Sequence, residues 1–91
     1  MSDISGSINV GGTAQLLCPA DNSRNVVGIF NPDPMNTLWV AMNSIEAAPN
    51  AQGSFALYPG GSALLEFPHP ARTQISIYGA RTGQHYTAYT G

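Results

Sequence analysis

Phe55-Ala56-Leu57-Tyr58-Pro59-Gly60-Gly61-Ser62-Ala63-Leu64-Leu65-Glu66-Phe67 is the stretch that decides the fold class. Apolar residues flank Tyr58-Pro59-Gly60-Gly61 on both sides. Proline pre-sets the first central angle of a turn, and glycine next accepts the positive φ of type II. The stretch predicts a β-hairpin over 55–67, with Glu66 turned to solvent between two large apolar residues.

The neighbouring segments have the same character. Thr37–Met42 alternates, with Leu38, Val40 and Met42 on one face and Trp39 and Ala41 on the other. Arg24–Asn31 crowds Val26, Val27, Ile29 and Phe30 onto both faces, as a strand buried on both sides does. Asn31-Pro32-Asp33-Pro34 stops it, because neither proline donates to a ladder. A strand at Thr13–Cys18 ends in the turn formers Pro19-Ala20-Asp21-Asn22-Ser23. Asn43–Gln52 is a long loop. After the break at Pro68-His69-Pro70 come a strand over Gln74–Gly79, a turn at Arg81-Thr82-Gly83 and a last strand over Gln84–Thr90. That last strand sets Tyr86 and Ala88 opposite His85 and Tyr89.

About seven or eight short strands at this spacing predict an all-β domain, a small antiparallel β-sandwich. A jelly-roll order is one arrangement, and the pattern leaves the topology open. Residues 1–12 are rich in Ser and Gly and are expected to form a flexible N-terminal arm. Residues 13–91 are expected to form the single domain.

Composition narrows the function classes. Only 9% of the 91 residues are charged, there is no lysine, and the net charge is -2. A nucleic-acid partner is therefore disfavoured, since phosphate neutralisation needs a basic patch. No apolar run is long enough for a membrane span. The opening Met1-Ser2-Asp3-Ile4-Ser5-Gly6 lacks the basic region and apolar core of a signal peptide, which predicts synthesis in the cytoplasm. Interfaces shed charge at their centres, so a sparse-charge surface suits a protein covered by neighbours.

No catalytic, metal or cofactor motif emerges. His69 and His85 lack metal-ligand spacing, and the single cysteine, Cys18, ends an apolar strand as a small hydrophobe would. The glycines at 60 and 61 are not followed by the lysine of a phosphate-binding loop. The chain is accordingly read as a non-enzyme. Trp39, Phe30, Phe55 and Phe67 are expected in the core, where removing Trp39 would cost about 3–5 kcal/mol. Tyr78, Tyr86 and Tyr89, joined by His85, are the candidate binding face, because tyrosine combines a rigid apolar body with a polar tip. Arg24 and Arg81 are added as cations able to bridge to a partner's carboxylates. Arg72 is assigned instead to backbone carbonyls at a strand end.

The order of elements resembles small virion proteins and fibre-like modules of tailed bacteriophages. The likeness is carried by Ser23-Arg24-Asn25-Val26-Val27-Gly28-Ile29-Phe30-Asn31-Pro32, then Leu38-Trp39-Val40 and Leu57-Tyr58-Pro59-Gly60-Gly61-Ser62. It closes with Ile75-Ser76-Ile77 and Gly83-Gln84-His85-Tyr86-Thr87-Ala88. The resemblance implies a β-sandwich capsid decoration or cement protein on the head exterior. It also implies a homo-oligomer, dimer or trimer, partnered with the major capsid protein. A receptor- or glycan-binding module of a fibre or spike is the alternative. No binding residue carries over, because the shared pieces are turn and core positions.

Overall fold

A computed structural model describes residues 2–21, 25–42, 46–50, 52–66 and 74–91, without the side chains of Ser2, Leu65 and Glu66. Among the described residues nine strands follow one another: β1 (Ser2–Asp3), β2 (Gly6–Ser7), β3 (Gln15–Cys18), β4 (Val26–Phe30), β5 (Leu38–Met42), β6 (Ser54–Leu57), β7 (Ser62–Glu66), β8 (Ile75–Gly79) and β9 (His85–Thr90). Each is short because proline, glycine or asparagine interrupts the apolar run within a few residues. Two antiparallel sheets result. One has the order β1-β9-β4-β7 with β2 also on β9; the other has the order β3-β8-β5-β6. The expected small β-sandwich is what the chain forms.

β1 and β2 belong to one lane. Ser2 faces Thr90, Asp3 faces Tyr89, Gly6 faces Tyr86 and Ser7 faces His85, so the register along β9 never slips. Between them Ile4 N–H donates to Ala88 O at 2.9 Å. Counting that lane as the first, the first strand pairs the last, β3 pairs β8, β4 pairs β7 and β5 pairs β6. This nesting, a long antiparallel hairpin rolled so that its lanes fall alternately into two sheets, is jelly-roll topology.

Two expectations need correction here. Residues 1–12 were expected to be a flexible arm, but residues 2–8 are paired along β9 and Ile8 is only 1% exposed. The apolar pair Ile4 and Ile8, four apart, falls on the inward side and gives the segment its anchor. Likewise, 55–67 is not a hairpin, because β6 pairs β5 in one sheet and β7 pairs β4 in the other. The turn itself is the expected one. Gly61 N–H donates to Tyr58 O at 2.7 Å and Gly60 has φ 80°, as type II requires. It serves as a corner between the sheets, and the strands diverge from it.

The core follows the strand alternation. Val27 and Ile29 of β4 and Tyr86 and Ala88 of β9 meet Leu38, Val40, Leu57, Ile75 and Ile77 from the other sheet, with Cys18 and Ile8 beside them. Phe55 packs against this cluster, while Phe67 lies outside the described residues. Trp39 is half-buried, facing Tyr78 and Ala56 across β5 on the outer side of its sheet. Its core assignment fails because it alternates with Leu38 and Val40, which are inside. Trp39→Ala is accordingly expected to cost about 1–2 kcal/mol rather than the value for a core aromatic. Urea denaturation would measure it, and a loss near 4 kcal/mol would show a deeper role.

Part of that outer side is roofed. The segment 46–50 lies over β5 and β8, with Ala47 N–H donating to Ser76 Oγ at 2.8 Å and Ala48 N–H to Ser54 Oγ at 3.1 Å. Ala41 and Ser76 are buried beneath it although they point away from the core.

Candidate interaction surface

Four connections meet at one end of the sandwich, and hydrogen bonds link them in sequence around it. The β2–β3 loop reaches the β8–β9 turn through Gly12 N–H to Gly79 O (2.9 Å) and Gly11 N–H to Thr82 Oγ1 (2.9 Å). Gly11 has no room for a Cβ, which would lie 2.6 Å from the Ala80 carbonyl oxygen and the Thr82 nitrogen. The β8–β9 turn reaches the β4–β5 loop through Gln84 Nε2, which donates to Thr37 O at 3.2 Å. The β4–β5 loop reaches the β6–β7 corner by two backbone bonds between Asn31 and Gly60-Gly61, each 2.9 Å.

Asn31 organises this end. It is fully buried, and its Nδ2 donates to Asn36 O at 2.8 Å and Leu57 O at 2.7 Å. Its Oδ1 accepts from Asp33 N–H at 3.2 Å. Asp33 continues the order by accepting from Met35 N–H, Asn36 N–H and Asn36 Nδ2. The Met35 backbone bond first, then the Asn36 side chain, hold the Asp33 carboxyl below its ordinary range, with a small further contribution from the Arg81 charge.

This ordered end carries apolar side chains turned into solvent. Met35 is 83% exposed in the β4–β5 loop, Tyr58 69% at the corner and Val10 60% in the β2–β3 loop. Phe30 and Leu64 are exposed just below, on the outer side of the β9-β4-β7 sheet, and Leu16 on β3. Of the six exposed large apolar residues among the described residues, three therefore lie in these loops and three on strands. Phe30, Leu64, Thr87 and Tyr89 border a shallow depression of about 270 Å³ floored by Gly28. A side chain at Gly28 would run into the Tyr89 ring, so glycine is what lets that ring lie flat across β4.

The sequence-predicted residues do not form one face. Tyr86 points into the core and is 9% exposed, Tyr89 and His85 lie on the outer side of one sheet, and Tyr78 lies on the outer side of the other. The period of two along β9 separates Tyr86 from its neighbours, and sheet membership separates Tyr78. Arg81 is exposed in the β8–β9 turn, beside Asp33, Thr82, Gly83 and Gln84 around a polar hollow of about 150 Å³. Arg24, Arg72 and His69 lie outside the described residues. Val10, Met35, Tyr58 and Leu64 were not singled out from sequence as surface residues, and Phe30, expected in the core, is exposed because it ends β4 on the outward side of the alternation. The usable signal was an apolar residue lodged among turn formers, as in Pro34-Met35-Asn36 and Tyr58-Pro59-Gly60.

Among the described residues no three His, Cys, Asp or Glu side chains gather as a metal ion would require. Cys18 is buried. The arrangement is suited to contact: a hydrogen-bonded set of loops holds apolar groups in place, so little ordering entropy is lost when a partner covers them. Comparison of the chain with family models, with curated proteins and with solved structures finds no match.

Proposed function

We propose that this chain is a non-enzymatic structural protein of a phage virion, a decoration or cement protein that binds the major capsid protein on the head exterior. Support comes chiefly from exposed Val10, Met35 and Tyr58 on loops that meet at one hydrogen-bonded end of a chain with few charges. Large apolar side chains held exposed at one end of a fold mark an interaction site more often than apolar residues scattered singly do. Jelly-roll sandwiches recur in capsids, which is support by fold analogy alone. The protein would be made in the host cytoplasm and act on the assembled head. By binding only the mature arrangement of capsid subunits it would stabilise that arrangement through mass action.

Quantitative mass spectrometry of purified particles tests the role directly. A copy number in simple ratio to the major capsid protein is expected, and absence from particles would overturn the reading. The surface is tested separately by Met35→Asp with Tyr58→Asp. Both side chains are solvent-exposed, so folding should be retained while affinity for particles lacking the protein falls about 10- to 100-fold. Undiminished binding would place the contact elsewhere.

A further inference from the structure

Among the described residues four lanes stand at sheet margins: the β1/β2 lane and β7 in one sheet, β3 and β6 in the other. Open margins expose N–H and C=O groups, and proteins blunt them with charge, proline, bulges or brevity. The β1/β2 lane is broken into two-residue pieces and carries Asp3. β3 has a register shift between Leu16 and Cys18. β6 has four residues and is tied to the roofing segment through the Ser54 hydroxyl. β7 differs: it pairs with β4 over five residues, Ser62 to Glu66, without a bulge, contains no proline, carries its one charge at its last residue, and exposes Leu64.

The direction of its free groups follows from the ladder. Asn31 N–H bonds to Gly61 O, and bonded and non-bonded pairs alternate in antiparallel strands. Ile29 with Ala63 and Val27 with Leu65 are therefore the bonded pairs. The other side of β4 agrees, since Val26 and Gly91 exchange both backbone bonds, at 3.0 and 2.9 Å. The N–H and C=O groups of Ser62, Leu64 and Glu66 consequently face away from β4.

We propose that this margin pairs antiparallel with the β7 margin of a second copy of the chain, about a two-fold axis at Leu64. An axis at Leu64 sets all three outward-facing residues of β7 in bonded pairs, whereas an axis at Ala63 or Leu65 would leave one of them outside. Ser62 then faces Glu66 of the other copy, and each facing pair exchanges both backbone bonds. An axis at Glu66 would set like residue against like residue of the same charge, which is unfavourable directly across strands. An axis at Ser62 would leave half of β7 unpaired. Pairing at Leu64 also joins the Phe30, Leu64 and Tyr89 depressions of the two molecules along one continuous sheet. The interface is isologous, as two-fold dimers require.

The inference gives a form to the homo-oligomer that the resemblance implies, and the particle copy number that tests the proposed function does not depend on its outcome. Sedimentation equilibrium of the full chain, up to about millimolar concentration, is expected to show a dimer that is weak because a strand edge buries little area. Leu64→Pro removes an outward N–H and spares the β4 ladder, so it should give a monomer with unchanged circular dichroism. Leu64→Cys should form a disulfide-linked dimer on mild oxidation, because bonded cross-strand Cα atoms lie about 5.5 Å apart, within bridging range. Leu16→Cys, similarly exposed on β3, is the control and should not. A wild-type monomer throughout, a dimer that Leu64→Pro leaves intact, or equal cross-linking of both cysteine variants would overturn the pairing.

Discussion

Deleting residues 1–8 is expected to abolish cooperative folding of this domain. The segment supplies Ile8, 1% exposed, and Ile4, which packs against the same core. It also completes the backbone bonding of β9. Ile8 N–H donates to Gln84 O at 2.8 Å, and Gly83 N–H donates to Ile8 O at 2.8 Å. Where the ladder is interrupted, the Ser5 hydroxyl accepts from Ala88 N–H at 2.9 Å and donates to Ala88 O at 3.3 Å. Truncating one buried isoleucine to alanine costs about 2–5 kcal/mol. A chain of this length has roughly 5–14 kcal/mol of stability in total, so losing two such anchors and an entire lane exceeds a large part of it. Ile8→Ala alone should lower the melting temperature by about 10–30 °C. Calorimetry of both variants checks this; a deletion that melts near the wild-type temperature would show that the lane is dispensable.

The second large effect is expected from Asn31→Leu. The substitution keeps the branched heavy-atom outline of the side chain but replaces its polar atoms with methyl groups. Here it removes the donors to Asn36 O and Leu57 O and the acceptor for Asp33 N–H, at a residue with no solvent exposure. The buried Leu57 carbonyl left without this partner costs about 1–3 kcal/mol and the part-buried Asn36 carbonyl and Asp33 N–H add less, so a loss of about 2–5 kcal/mol is expected. Asn31→Asp keeps an acceptor for Asp33 N–H but faces its new carboxylate toward two carbonyl oxygens, and should be no better. Urea denaturation measures both, as a fall in the midpoint at unchanged slope. If Asn31→Leu were neutral, the order of the loop end would have to come from the glycine contacts and the Asp33 bonds. Because Asn31 holds both the Met35 loop and the Tyr58 corner, partner binding should weaken along with stability. Variants at Met35 and Tyr58 should weaken binding alone.

The two corrections to the fold have one cause. Strand identity was legible at Leu38-Trp39-Val40 and Ile75-Ser76-Ile77 because alternation is a local property. Pairing is not local. The turn at Tyr58-Pro59-Gly60-Gly61 was read correctly from its residues, yet the same turn serves a hairpin or a corner between sheets. The choice depends on β5 and β4 competing for β6 and β7. Residues 2–8 read as a loose arm because Ser and Gly outnumber apolar residues there. Their strand character comes from β9, which offers an open edge, and from a core space that Ile8 fills.

The candidate surface was less legible than the fold. Tyr78, Tyr86 and Tyr89 are close in sequence, but tertiary structure distributes them between a core and two opposite outer faces. Val10, Met35 and Tyr58 are far apart in sequence, and jelly-roll nesting brings their loops to one end.

By itself, the sequence determined that this protein is all-β, with short strands, a type II turn at Tyr58–Gly61 and an unusually uncharged surface. Residue chemistry and alternation act over a few positions and need no partner strand to be read. Tertiary structure decided which strands share a sheet, which of the alternating faces is roofed, and which apolar side chains remain in water. Those outcomes depend on contacts between segments distant in the chain, where the free energy of burial is shared among all lanes at once.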